Sequence, residues 1–284
     1  MTIAVFANFE KNNAHSATTE VCRILRDMNI TIIADRQYAE QFSEISSVRL
    51  CEKREAAGMC DIMIAIGGDG TIIRYAPYAA EFDKPLLGIN TGRLGFMASL
   101  ESNELYALSR LKSGEYEIIP RMMLDAEIVS ENGDTKKFAA LNDFVISNPY
   151  SRISDFEISI NGRTVNSVRA DGIVFSTPTG STAYALSAGG PIIDPLVECI
   201  EFTPICPHVL SSRTILFSAS HVLVASHKSD DGNVYFIADG KPHIHIGRND
   251  KVVISRSEKN LKLIDIHGFS FYDAVNNKLM RPIK

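Results

Sequence analysis

The stretch from Asp61 to Thr71 constrains this chain more than any other. Ile62 to Ile66 is an unbroken apolar run of strand length. Such a run predicts a strand buried on both faces, as in a parallel sheet. Gly67 and Gly68 then stop it, and glycine lets a backbone turn sharply and approach a ligand closely. From Thr71 to Phe82 apolar residues recur at helical spacing, broken only by Pro77. A carboxylate, Asp69, is thereby held where a strand turns into a helix. In an open parallel sheet, ligands bind at that edge, and the helix start offers N–H groups to phosphate. Asp69 would itself repel phosphate. Three roles suit it: a base, a metal ligand, or a partner for sugar hydroxyls. A plainer reading also stands, a glycine turn whose aspartate caps the helix. The pattern is not a Walker A loop, since no Lys follows Gly70, and it is not the spaced-glycine dinucleotide fingerprint.

The same alternation extends along the first part of the chain. Thr2 to Ala7, Ile30 to Ala34 and Pro85 to Ile89 read as strands, and Ser16 to Met28 as an amphipathic helix. Arg36 to Met59 is compatible with a helix and a short connection. Strand–helix alternation predicts a parallel sheet covered by helices. Asn90 to Phe96 forms a second glycine-bearing loop on the same edge as Asp69. Ser102 to Leu111 reads as a short helix started by Ser102. Near Pro120 the texture changes. Asn132-Gly133 and Asn161-Gly162 each separate two short runs, and Asn-Gly is the strongest short hairpin signal. Further runs at Ile215–Ser218, Val222–Ala225, Val234–Ala238, Val252–Ser255 and Leu261–Ile266 predict an antiparallel sheet domain. Phe269 to Met280 reads as a terminal helix.

A second chemical signal lies between Asp171 and Pro191. Gly172 to Ser176 reads as a buried strand, and Thr177 to Thr182 packs hydroxyls around a turn. Ser181 or Thr182 is placed to cap a helix from Ala183 to Ala188. Small residues, N–H groups and hydroxyls bind phosphate without a charged side chain. An ordinary strand, turn and capped helix is the alternative. Leu141-Asn142-Asp143 interrupts an apolar strand run. An amide beside a carboxylate suits ribose hydroxyls or a base edge, and a strand bulge is the alternative. Asp239-Gly240-Lys241 reads as a turn, and His243 with His245 as a surface pair, since no third metal ligand accompanies them.

Composition narrows the class. A chain of 284 residues, 45% hydrophobic and 22% charged, has room for one large or two ordinary globular domains. A formal charge of -5 disfavours nucleic acid as a partner. No apolar run reaches membrane-span length, and the amino-terminal residues lack signal-peptide features. Cys22, Cys51, Cys60, Cys199 and Cys206 have no paired spacing, which predicts reduced, buried thiols in a cytoplasmic protein.

Taken together, Gly67–Thr71, Asn90–Phe96, Asn142-Asp143 and Asp171–Pro191, in that order, resemble the NAD kinase family. Thr203 to His208 resembles a further segment of it, whereas Ser212-Arg213-Thr214 departs from the family's usual Arg-Pro. The resemblance covers most of the chain. Gly67–Gly70 is shared with lipid kinases and phosphofructokinases, while Thr177–Gly190 is specific. The resemblance implies an α/β N-terminal domain (1–115) carrying the glycine loop, an all-β antiparallel, NAD-binding domain (116–267), and a tail (268–284) returning to the first domain. It implies phosphoryl transfer from ATP to the adenosine ribose 2′-hydroxyl of NAD, with Asp69 as general base. The implied substrate contacts are Asp69, Gly70, Arg74, Asn142, Asp143, Arg152, Arg169, Asp171, Thr182, Ala183, Tyr184, Ala185, Leu186, Ser187 and Lys241. Mg²⁺ is implied to arrive with ATP, without a dedicated metal cage in the chain. A homodimer or homotetramer is implied. A related lipid or sugar kinase and a non-catalytic dinucleotide sensor are the rival readings, and the lack of an amphipathic membrane-binding stretch counts against a lipid substrate.

Overall fold

The computed structural model describes residues 1–11, 13–45, 47–92, 95–148, 152–228, 233–241, 244–268 and 271–280. Two compact units divide the chain: Met1–Pro120 with Leu261–Lys284, and Arg121–Asn260.

The first unit is α/β. Its elements are β1 (Thr2–Ala7), α1 (Ala14–Asp27), β2 (Thr31–Asp35), β3 (Val48–Cys51), α2 (Lys53–Met59), β4 (Ile62–Gly67), α3 (Asp69–Glu81), β5 (Pro85–Asn90), β6 (Leu100–Glu101) and α4 (Ser109–Ser113). The sheet order is β5-β4-β1-β2-β3, parallel throughout, with β6 beside β5. All six residues of β4 are buried, which is why it reads as a continuous apolar run. Val21, Cys22 and Leu25 turn the buried face of α1 to the core, which also holds Ile3, Val5, Ile64, Leu87 and Ile89. Burying each large aliphatic side chain contributes roughly 1.5–3 kcal/mol.

Three details differ from the sequence reading. Residues 36–59 hold a strand, β3, that the sequence hides. It lies at the sheet edge, where Arg49 is exposed and the apolar signal is weak. The expected helix from Ser102 is a 3₁₀ turn, Leu105–Leu108, running into α4. The Ser102 hydroxyl donates to the Asn90 carbonyl instead of capping it. Helix α3 continues through Pro77 rather than breaking there.

The second unit is antiparallel. It contains β7 (Glu117–Val129), β8 (Thr135–Ala140), β9 (Asp143–Ser147), β10 (Ser154–Ile160), β11 (Arg163–Ala170), β12 (Gly172–Ser176), α5 (Tyr184–Ser187), β13 (Cys199–Ile205), β14 (Ile215–Ser218), β15 (Leu223–His227), β16 (Val234–Ala238), β17 (Ile244–Ile246) and β18 (Lys251–Asp265). One sheet runs β14-β13-β12-β9-β16-β17, and a second joins β11-β10-β15-β18. Phe144, Phe156, Phe175, Phe202 and Phe236 fill the core. Both Asn-Gly hairpins form: β7 pairs β8 around Gly133 (φ +88°), and β10 pairs β11 around Asn161 and Gly162, at φ +52° and +74°.

The runs at Val252–Ser255 and Leu261–Ile266 belong to one strand, β18. Its polar middle includes Arg256, which pairs with Glu198 at 2.7 Å. From Leu261 on, the strand belongs to the first unit, where Lys262 and Leu263 lie beside Pro85 and Leu86 of β5, in parallel. The apolar run after Lys136 is two strands, because the chain bends at Leu141-Asn142 between β8 and β9.

The terminal segment forms α6 (Phe271–Val275) and a wider π-type turn, Asn276–Met280. Phe269 and His243 lie outside the described residues. Four of the cysteines are buried, as expected, but Cys206 is exposed.

Candidate active site

The Asp69 turn is built from adjacent ends of β4 and β5, where Gly67 and Asn90 are register partners. Gly67 sits at φ +155°, and a β-carbon there would lie 2.3 Å from Thr71 Oγ1. Its carbonyl accepts from the Thr91 N–H (2.8 Å) and the Thr91 hydroxyl (3.2 Å), which ties the second loop to the first. Asp69 opens α3 from inside the helix, since the capping position is Gly68. Its carboxylate therefore does not cap the helix. It accepts from the Phe96 N–H at 2.7 Å and from the Met97 N–H at 3.2 Å. Gly95 allows this closeness, because a β-carbon there would lie 2.0 Å from Asp69 Oδ1.

A cation completes the turn. Lys278 Nζ lies 3.8 Å from Asp69 Oδ2 and 4.2 Å from the centre of the Phe96 ring. Phe96 also packs against Phe271, with ring centres 6.5 Å apart. The sequence reading missed Lys278. Its partner is fixed by folding across the length of the chain, and no local pattern marks it.

In the second unit the polar cluster centres on Leu141-Asn142-Asp143. The Asp239 carboxylate accepts from three successive N–H groups, Leu141 (2.9 Å), Asn142 (2.8 Å) and Asp143 (3.1 Å). This grip explains the bend between β8 and β9: the N–H groups point at a carboxylate instead of a ladder partner. Asp239 was legible only as a turn residue. Asp239, at φ +48°, does sit at a turn, but its side chain shapes the neighbouring loop.

The Thr177–Ser181 turn is stitched to the same bend. Thr177 donates its N–H to the Asn142 carbonyl (2.8 Å) and its hydroxyl to the Leu141 carbonyl (2.6 Å). Gly180 packs against Asn142, whose carbonyl oxygen a β-carbon at 180 would meet at 2.2 Å. The expected helix over 183–188 is the four-residue α5, preceded by a 3₁₀ turn at Thr179–Thr182. Ser181 does not cap it. Its hydroxyl donates to the Pro178 carbonyl and accepts from the Ile193 N–H.

Acid groups accumulate beneath this bend. Asp143, Ser176 and Glu201 are register partners on adjacent strands. Burial, then the charges of Asp239 and Glu201, pushes Asp143 up to about 7. Burial pushes Glu201 up to about 7 as well, against a hydrogen bond from Thr203. Burial also raises Asp239, opposed by its three N–H donors. Asn142 Oδ1, Thr179 Oγ1 and Glu201 Oε2 are buried with no hydrogen-bond partner among the described residues. Orphaned buried polar atoms in one cluster suit a polar ligand.

The other expected positions differ in character. Gly70 and Arg74 are exposed on α3. Arg152 and Lys241 are exposed. Arg169 forks onto Asp155 with two bonds of 2.8 Å. Asp171 is half-buried, and its backbone pairs with Asn148 and Ile205. Thr182, Ala183 and Leu186 are half-buried, and Tyr184 and Ser187 are exposed. Ala185 is fully buried beside Val145 and Val174, so its side chain serves packing. Among the described residues, no group of three or more His, Cys, Asp or Glu could hold a metal, and both Asp69 oxygens already accept N–H groups.

A carboxylate on the carboxyl edge of a parallel sheet, beside glycine loops and a helix start, is the arrangement of an α/β protein that binds a phosphate-bearing ligand. Residues 3–116 match the ATP-NAD kinase N-terminal domain, and residues 141–266 the ATP-NAD kinase C-terminal domain. The NAD kinase of Natranaerobius thermophilus is 35% identical over 280 residues, covering 98% of this chain and 97% of that one. The NAD kinase of Symbiobacterium thermophilum is 42% identical over 226 residues, covering 79% and 80%. The yeast NADH kinase complexed with NADH shares the fold, with a TM-score of 0.90 at 22% identity over 100% of this chain and 90% of that one. An NAD kinase from Archaeoglobus fulgidus in complex with ATP superposes with a TM-score of 0.72, also at 22% identity, over 99% of each chain. The chain belongs to the ATP-NAD kinase family.

Proposed function

We propose that this chain transfers the γ-phosphoryl group of ATP to the 2′-hydroxyl of the adenosine ribose of NAD, giving NADP, with Asp69 as general base. The observation that carries the reading is the Asp69 carboxylate, fixed at the sheet edge by the Phe96 and Met97 N–H groups. Asp69 takes the hydroxyl proton. The ribose oxygen forms a bond to the γ-phosphorus as the bond from that phosphorus to its bridging oxygen breaks, and ADP leaves. A carboxylate is a weak base, so its fixed position matters more than its proton affinity. Mg²⁺ enters with ATP, as part of that substrate, and neutralises phosphate charge.

In this reading the first unit carries the glycine loop for nucleotide phosphates. The second binds NAD through Asn142 and Asp143, with Arg152, Arg169, Asp171, the Thr182–Ser187 segment and Lys241 as further contacts. Gly70 and Arg74 complete the set beside Asp69. The orphaned Asn142 Oδ1 supports this, since it is a ready acceptor for a hydroxyl or amino group. The protein works in the cytoplasm as a homodimer or homotetramer.

The test is NADP formation from NAD, ATP and Mg²⁺. Wild type is expected to form NADP, and Asp69→Asn to lose about 10²- to 10⁴-fold in turnover while still binding NAD. An Asp69→Asn protein of wild-type rate removes Asp69 as the base. A wild type that phosphorylates a lipid or sugar instead, or binds NAD without turnover, refutes the activity.

A further inference from the structure

We propose that Lys278 is a phosphate-binding cation of the Asp69 turn, bridging the Asp69 carboxylate and an anionic oxygen of the bound nucleoside triphosphate. The inference rests on the reading of Asp69 given above. A carboxylate beside a triphosphate meets like charge, which weakens binding at close range. An ammonium group at the same place removes the conflict. Lys278 Nζ lies 3.8 Å from Asp69 Oδ2, close enough for strong attraction and beyond an ordinary hydrogen bond. The two carboxylate oxygens are already held by the Phe96 and Met97 N–H groups. The ammonium is therefore not needed to hold Asp69 in place, and its three donors suit a phosphate oxygen.

The seat of the ammonium supports the same role. It stands 4.2 Å from the centre of the Phe96 ring, whose face attracts a cation without consuming a donor. Phe96 serves twice, holding Asp69 through its backbone and Lys278 through its ring. The segment that delivers the lysine is anchored: Phe271 packs against Phe96, and Ala274 and Val275 are buried. The Lys278 side chain keeps 29% of its surface exposed, so a ligand oxygen has access.

Steady-state kinetics of Lys278→Met and Lys278→Arg, with ATP and NAD varied separately, test this. Lys278→Met is expected to lose about 10- to 100-fold in kcat/KM for ATP, the range for one charge-assisted hydrogen bond. Its NAD affinity by calorimetry is expected to stay within about twofold, since the lost bond is to the triphosphate. Lys278→Arg should recover most of the loss. A loss shared equally by both substrates, an arginine variant no better than the methionine one, or full activity in Lys278→Met overturns the proposal. A second measurement needs no variant. Acetylation of wild-type Lys278 by acetic anhydride, read by mass spectrometry, should be slowed by ATP alone, and more by ATP than by NAD. Equal labelling with and without ATP overturns the proposal, whether or not the protein proves to make NADP.

Discussion

Two carboxylate environments, one in each unit, are built on opposite physics. Asp69 is half-buried and meets two N–H groups and a lysine. Asp143 and Glu201 are buried among other acids, and both are pushed up to about 7. The first arrangement holds a carboxylate ready for a proton or a hydroxyl. The second raises the pH at which its carboxyl groups lose their protons, and a protonated carboxyl donates as well as accepts. Asp239 stands between the two types: burial raises it, yet it spends its oxygens on three backbone N–H groups. Charge alone does not define an acid's task; the donors supplied to it do.

Breaking the Asp69 side of the comparison should have the largest effect on turnover. In Gly95→Ala the new methyl group meets Asp69 Oδ1 at 2.0 Å, so the carboxylate must move. A displacement near 1 Å costs roughly 100-fold in rate. The expected result is that loss in NADP formation, with a smaller loss of stability as the Phe96 and Met97 N–H groups lose their acceptor. On the other side, Asp239→Ala orphans three N–H groups at once. Urea unfolding should show about 3 kcal/mol of lost stability, with weaker NAD binding as the bend at Asn142 relaxes.

The smallest expected change sharpens the contrast through pH. Folded Glu201 keeps its proton up to about pH 7, against an ordinary 4.5 when unfolded. Its contribution to stability is therefore complete below pH 4.5 and is lost as pH rises through 7. Glu201→Gln cannot titrate. Unfolding at pH 5 and pH 8 should show wild type losing about 2 kcal/mol more than the variant across that interval. An equal fall in both proteins would mean that Glu201 is an ordinary, solvated acid.

What could be read before folding follows from how locally each feature is encoded. The turn after β4 is legible because a strand buried on both faces reads as a pure apolar run, and Gly67, where a β-carbon would meet Thr71 Oγ1, ends it. The Asn-Gly hairpins are legible for the same reason: positive φ demands particular residues. β3 was not legible, being a four-residue edge strand with an exposed arginine. β18 looked like two strands because its middle residues face polar partners, as Arg256 does with Glu198. Within the candidate site, Asn142 and Asp143 stood out as polar residues in an apolar run. Asp239 and Lys278 did not, because each acts on a loop far away in sequence, and neither a turn aspartate nor a tail lysine is unusual by itself.

A crystal structure of the wild-type protein with NAD bound, without ATP, tests the central claim most directly. An Asp69 carboxylate oxygen is predicted to lie within hydrogen-bonding reach of the adenosine ribose 2′-hydroxyl, about 2.6–3.2 Å or through one water. An NAD molecule whose 2′-hydroxyl meets a different base, with Asp69 turned away from any sugar, would contradict it.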